Sequence, residues 1–112
     1  MRKVYMDNAS ATATDPRVAK EMKPYLEKYY GNPASLHSWG EQAKNEIEKA
    51  RQQVAALIGA TPEEIIFTSS GSESNNLAIK GISAARAKHG KHIVISAIEH
   101  FSVLQAAKRL AS

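Results

Sequence analysis

The run from Ile65 to Ser74, Ile-Ile-Phe-Thr-Ser-Ser-Gly-Ser-Glu-Ser, restricts this chain more than any other. Ile65-Ile66-Phe67-Thr68 is short, apolar and β-prone, the pattern of a strand buried on both faces. Ser69-Ser70-Gly71 is a small-residue turn in which Gly71 allows backbone angles that a side chain would forbid. Ser72 then caps a helix whose first turn carries Glu73 and Ser74. Where a strand runs through such a loop into a helix, the unpaired first-turn amides point outward and the helix dipole favours an anion. An ordinary tight turn, with small residues for packing, fits the same letters.

The flanking patterns are those of an α/β chain. Val4-Tyr5-Met6 reads as a short strand, and Asp15-Pro16 opens a helix with a capping side chain followed by Pro at the first helical position. Val18, Met22, Leu26 and Tyr29 share its apolar face; Pro24 predicts a kink near Glu21 to Lys23, and Gly31-Asn32-Pro33 a stop. Ser38 and Glu41 form a capping box. The helix behind them buries Ala43, Ile47, Ala50, Val54 and Leu57, turns Lys44, Glu48, Arg51 and Gln52 to solvent, and ends at Gly59. Thr61-Pro62-Glu63-Glu64 is a capped turn.

From Ser72 the helical pattern continues through Leu77, Ala78, Ile82 and Ala85 to His89-Gly90, and His92-Ile93-Val94-Ile95-Ser96 is a second buried strand. Strand, helix and strand within about thirty residues predict a βαβ unit with parallel strands and a right-handed crossover. The Ala97-Ile98-Glu99-His100 loop leads to a last helix from Ser102 through Val103, Leu104, Ala107 and Leu110. That helix breaks off uncapped at Ala111-Ser112, and two parallel strands cannot be covered by these helices alone. The expectation is the opening of a larger α/β domain, against a small or obligately oligomeric protein ending there.

Composition removes whole classes of function. At 112 residues with 43% hydrophobic content the chain is at most one small globular domain. Its net charge of +4 is spread among interleaved acids and bases, not the footprint of a nucleic-acid binder. With no cysteine it offers no disulfide, thiolate metal site or thiol nucleophile, which fits a reducing, cytoplasmic location. Met1-Arg2-Lys3 leads into Val-Tyr-Met-Asp rather than an apolar core, so no signal peptide is expected there, and no run approaches a membrane span.

One family joins these motifs. Asp7-Asn8, Asp15-Pro16, Pro24-Tyr25 and Gly31-Asn32-Pro33-Ala34-Ser35-Leu36-His37 form a first set. Ala50-Arg51, Val54-Ala55, Leu57-Ile58-Gly59-Ala60 and Glu64 to Ser69 continue it, and Glu73 to Gly81 with Glu99-His100-Phe101-Ser102-Val103-Leu104 complete it. In order and spacing they resemble the N-terminal portion of the cysteine desulfurases, pyridoxal-phosphate enzymes of the class V aminotransferase family, in the branch serving iron–sulfur cluster assembly.

The resemblance implies a fold-type-I large domain, three-layered α/β/α with a mostly parallel sheet, begun by residues 38–112, while residues 1–37 lie near the active-site mouth. It implies that the backbone at Gly71 and Ser72, with the Ser72 hydroxyl, holds the phosphate of pyridoxal 5'-phosphate. His100 falls on the histidine that stacks on the cofactor ring and assists proton transfer; an imidazole is flat and exchanges a proton near neutrality. On its own, a surface or helix-capping histidine would be the ordinary reading. Asn8, Asn32 and His37 match the family's N-terminal segment; for each a structural role in turn or loop hydrogen bonds comes before substrate contact, for which Asn8 is the candidate. No metal is implied. The partners implied are L-cysteine as substrate, a second copy in a homodimer and an iron–sulfur scaffold protein as sulfur acceptor.

Ser10, Ala11 and Ala13 stand where relatives often have Ala, Thr and Pro. Larger departures concern chemistry. No Lys here follows the Ser-x-His signature of the cofactor-binding lysine, no segment supplies the Asp that meets the ring nitrogen, and no Cys can take sulfur. The expectation is a chain that supplies the phosphate cup and the stacking histidine, with the reacting groups on a further segment or a separate C-terminal polypeptide. The alternatives are a truncated module without cofactor, or a class V aminotransferase or lyase with another substrate.

Overall fold

The computed structural model describes residues 2–111. Four helices run in order: α1 (Pro16–Glu27), α2 (Ser38–Ile58), α3 (Gly71–Arg86) and α4 (Phe101–Ala111), with a 3-10 turn at Pro62–Glu64. They fall into two compact units, one ending at Ile65 and the other starting at Ile66. The expected uncapped end at Ser112 lies outside the described residues.

In the first unit, Asp15 caps α1 by accepting from the Arg17 amide at 2.8 Å, and its carboxylate also grips the Arg17 guanidinium at 3.0 and 2.7 Å. The helix runs through Pro24 and ends at Glu27, earlier than the Gly31 stop expected. Pro24 has no amide to bond the turn behind it, and Lys28 already leaves helical angles. Tyr25 reaches α2 by donating its hydroxyl to Glu46 at 2.9 Å.

α2 starts at Ser38, but its cap is His37, whose Nδ1 accepts from the Gly40 amide at 3.3 Å, in place of the Ser38 box expected. The preceding loop is wound tightly: Asn32 takes the Ala34 amide on its side chain and the Ser35 amide on its carbonyl, each at 2.9 Å. A Cβ on Gly40 would run into the carbonyl oxygens of Ser35 and Asn32, so glycine is required by space. Gly59 ends the helix in the left-handed region (φ 69°), as its sequence position predicts.

The buried stripe is displaced from the expected one. Ala55 is closed off while Leu57 and Val54 stay exposed. Arg51, expected in solvent, is partly covered and donates to the Ile65 carbonyl while pairing with Glu48 at 3.2 Å. That bond ties α2 to the 3-10 turn, where the Thr61 amide donates to the Glu64 carboxylate at 2.8 Å.

In the second unit α3 packs on α4, with Ala106 fully enclosed. The predicted strands are not formed: among the described residues Val4–Met6, Ile65–Thr68 and His92–Ser96 carry no ladder. Two strands alone, each with an open edge and an uncovered face, gain too little to pair. Ile66, Phe67 and Ile93 to Ile95 are accordingly exposed, Val94 by 83%.

Candidate functional site

The start of α3 differs by two residues from the sequence expectation. Ser70, not Ser72, is the cap; its hydroxyl accepts from the Glu73 amide at 3.2 Å. Gly71 and Ser72 are therefore the first two helical residues. Gly71 has no positive φ, so its backbone freedom is not what the turn uses. Its distinction is space: a Cβ built there meets nothing within 4 Å.

The loop is braced from behind. Glu73 turns its carboxylate onto Ser69, accepting from the amide at 2.7 Å and the hydroxyl at 2.6 Å. Those two bonds, the hydroxyl first, hold the Glu73 carboxyl below its ordinary value, against a small opposing effect of desolvation. Thr68 and Ser74 share a hydroxyl bond at 2.6 Å, and the Ser74 amide goes to the Ser70 carbonyl. Among the described residues no acceptor engages the Gly71 or Ser72 amides. Amides without a partner at a helix start are donors that an anion can use. Each charge-assisted bond from such an amide contributes about 1.5–3 kcal/mol. The Glu73 carboxylate in the first turn subtracts from the local positive potential.

His100 sits at the capping position of α4, its carbonyl accepting from the Val103 and Leu104 amides at 2.9 and 3.2 Å. Its Nδ1 receives the Ser102 amide at 3.2 Å and lies 2.8 Å from the Ser102 hydroxyl, while the ring is exposed. The capping role that a bare sequence allows is thus real, and it engages Nδ1 of an exposed residue. Asn75, one turn into α3, donates to the same Ser102 hydroxyl at 2.8 Å. The first turns of α3 and α4 are thereby joined by one side-chain bond. Asn8 belongs to the other unit, in the turn where Asp7 accepts the Ser10 amide at 3.1 Å.

Sequence reasoning missed Ser70, Ser69 and the Asn75–Ser102 link. Ser70 was readable from the Ser-x-x-Glu spacing of Ser70 and Glu73, whereas such a box would return Glu73 to the Ser70 amide and the structure sends it to Ser69. Asn75–Ser102 depends on helix packing and had no local signal. Among the described residues no cluster of three metal-ligating side chains occurs, and no helix is long and apolar enough to cross a membrane.

Comparison with known proteins settles the class. The sequence pattern of the family described as Aminotransferase class-V matches residues 4–112, and the chain belongs to that family. Its relatives among the cysteine desulfurases depend on pyridoxal phosphate. Cysteine desulfurase IscS of Dictyoglomus turgidum is 48% identical over 104 residues, covering 93% of this chain and 26% of that protein. The cysteine desulfurase of Rattus norvegicus is 50% identical over 111 residues, 98% of this chain and 25% of that one. Among solved structures, a NifS-like protein superposes with a TM-score of 0.89 at 40% identity, covering 98% of this chain and 30% of its own. SspA in complex with cysteine gives 0.84 at 41% identity, with coverages of 96% and 31%. The chain thus spans only the N-terminal 25% to 31% of these relatives. The amides and the room at Gly71 fit a phosphate group.

Proposed function

We propose that this chain is the N-terminal portion of a cysteine desulfurase and forms the phosphate cup of its cofactor site. The Gly71 and Ser72 amides and the Ser72 hydroxyl hold the phosphate of pyridoxal 5'-phosphate, and His100 lays its exposed ring on the pyridine. The observation that carries this is the pair of unengaged amides over open space at the start of α3, linked to His100 through Asn75 and Ser102. Bound pyridoxal phosphate supplies an electron sink for carbanion chemistry. The chain's own part is to orient that group by its phosphate, cover one ring face and hold a proton at His100.

In the complete enzyme, L-cysteine is converted to L-alanine and its sulfur passes to a cysteine thiol and then to an iron–sulfur scaffold protein. The lysine and that thiol come from outside these residues, in a cytoplasmic homodimer. There, Ile65–Thr68 and His92–Ser96 enter a mostly parallel sheet between helical layers. Residues 38–112 begin the cofactor-binding domain, and residues 1–37, Asn8 among them, approach the substrate.

Mixing the chain with a polypeptide carrying the remainder of a desulfurase tests the assignment. Visible cofactor absorbance and alanine formation in the mixture, lost with His100→Ala, are the expected result. A mixture that binds no cofactor in any proportion overturns it.

A further inference from the structure

Three bonds meet at the start of α4. Asn75 Nδ2 donates to Ser102 Oγ at 2.8 Å, Ser102 Oγ lies 2.8 Å from His100 Nδ1, and the Ser102 amide donates to the same Nδ1 at 3.2 Å. A hydroxyl has one proton and two lone pairs. Asn75 fills one lone pair of the Ser102 oxygen, and the hydroxyl proton points at the imidazole once Nδ1 is an acceptor. A backbone amide can only donate. Nδ1 therefore faces two donors and holds no proton, and the neutral ring carries its proton on Nε2.

We infer that Asn75 and Ser102 are positioning residues that lock His100 as the Nε2–H tautomer. With Nδ1 occupied, Nε2 is the ring's one exchangeable edge, and the neutral histidine meets its surroundings as a donor rather than an acceptor. The functional weight of this lock rests on the proposed placement of His100 against the cofactor ring; the lock itself is a property of the chain alone. It also fixes the ring's rotation through two contacts on one nitrogen, which a stacking platform requires. Asn75 makes α3 the reference for that rotation, so the helix that carries the phosphate amides also sets the angle of the imidazole.

Ring-nitrogen NMR of His100 in the full chain, at a pH where the ring is neutral, reads the tautomer directly. The unsubstituted chain should show a protonated Nε2 and a bare Nδ1. Ser102→Ala should raise the Nδ1–H population about fivefold, the equivalent of one net hydrogen bond, Ser102→Thr should restore it, and Asn75→Ala should move it part of the way. A protonated Nδ1 in the unsubstituted chain overturns the inference. So does an unchanged ratio in both alanine variants. If Ser102→Ala does not fold, the unsubstituted chain and Asn75→Ala decide alone. Cofactor binding is followed separately at the Gly71 and Ser72 amides: a tautomer that obeys Ser102 in a chain without cofactor affinity upholds the lock and removes the proposed function.

Discussion

Glu73 reaches back over the first turn of α3 to Ser69 and accepts both its amide, at 2.7 Å, and its hydroxyl, at 2.6 Å. That contact and the Ser70 cap engage the Ser69 and Glu73 amides, while those of Gly71 and Ser72 keep no acceptor among the described residues.

The contact is pH-dependent in a definite sense. Hydrogen bonds from Ser69 favour the ionised carboxylate, so its folded value lies below the ordinary 4.5. The stabilisation is then fully present above 4.5 and is lost as pH falls through the folded value. The Ser69 amide proton shift should titrate with a midpoint below 4.5, and Glu73→Gln should abolish that titration. A midpoint at or above the ordinary value contradicts the geometry.

Ser70 and Ser72 should separate under substitution. Ser70→Ala removes the cap and should cost about 1 kcal/mol of helix stability, read as faster amide exchange in the first turn of α3. Ser72→Ala leaves the cap in place and should leave that exchange unchanged, while weakening phosphate binding by one hydroxyl contact.

Two glycines make an opposite pair. Gly40→Ala drives a Cβ into backbone oxygens of Ser35 and Asn32, and should destabilise the start of α2 by about 1–3 kcal/mol. Gly71→Ala meets open space at a helical φ and should leave thermal unfolding unaltered. It should nonetheless lower phosphate affinity about tenfold or more, the cost of displacing one charge-assisted bond.

Self-association is the fourth expectation. The enclosed apolar residues among those described are Ala55, Ile65 and Ala106, whereas Ile66, Phe67, Ile93, Val94 and Ile95 lie open. A core this small cannot offset chain entropy by much. Sedimentation should show association rising with concentration, and calorimetry a broad transition that shifts with it. Sharp unfolding of a monomer at a concentration-independent temperature would count against this.

The sequence made helices and stops legible where the signal is local. Asp15-Pro16 and Gly59 act as their chemistry dictates, because caps and left-handed glycines are decided by neighbours a few residues away. It misled where the answer is set by distant contacts. Ile65–Thr68 and His92–Ser96 are β-prone, but a strand exists only with partners. Arg51 looked like solvated surface because nothing local announces the Ile65 carbonyl it holds. At the site, a helix start after Ser69-Ser70-Gly71 and a capping histidine at the head of α4 were readable from local signals. The move of the cap from Ser72 to Ser70 shows how two overlapping Ser patterns, Ser70-x-x-Glu73 and a Ser at the head of the helix, compete for one role.

The central claim, that the start of α3 grips a phosphate dianion, is tested most directly by an amide-resolved titration of the chain with pyridoxal 5'-phosphate, repeated with pyridoxal lacking the phosphate. The account predicts saturable downfield shifts led by the Gly71 and Ser72 amides, with His100 ring signals following, and neither with pyridoxal. Shifts of equal size for both ligands, or none at Gly71 and Ser72 while other amides respond, would contradict it.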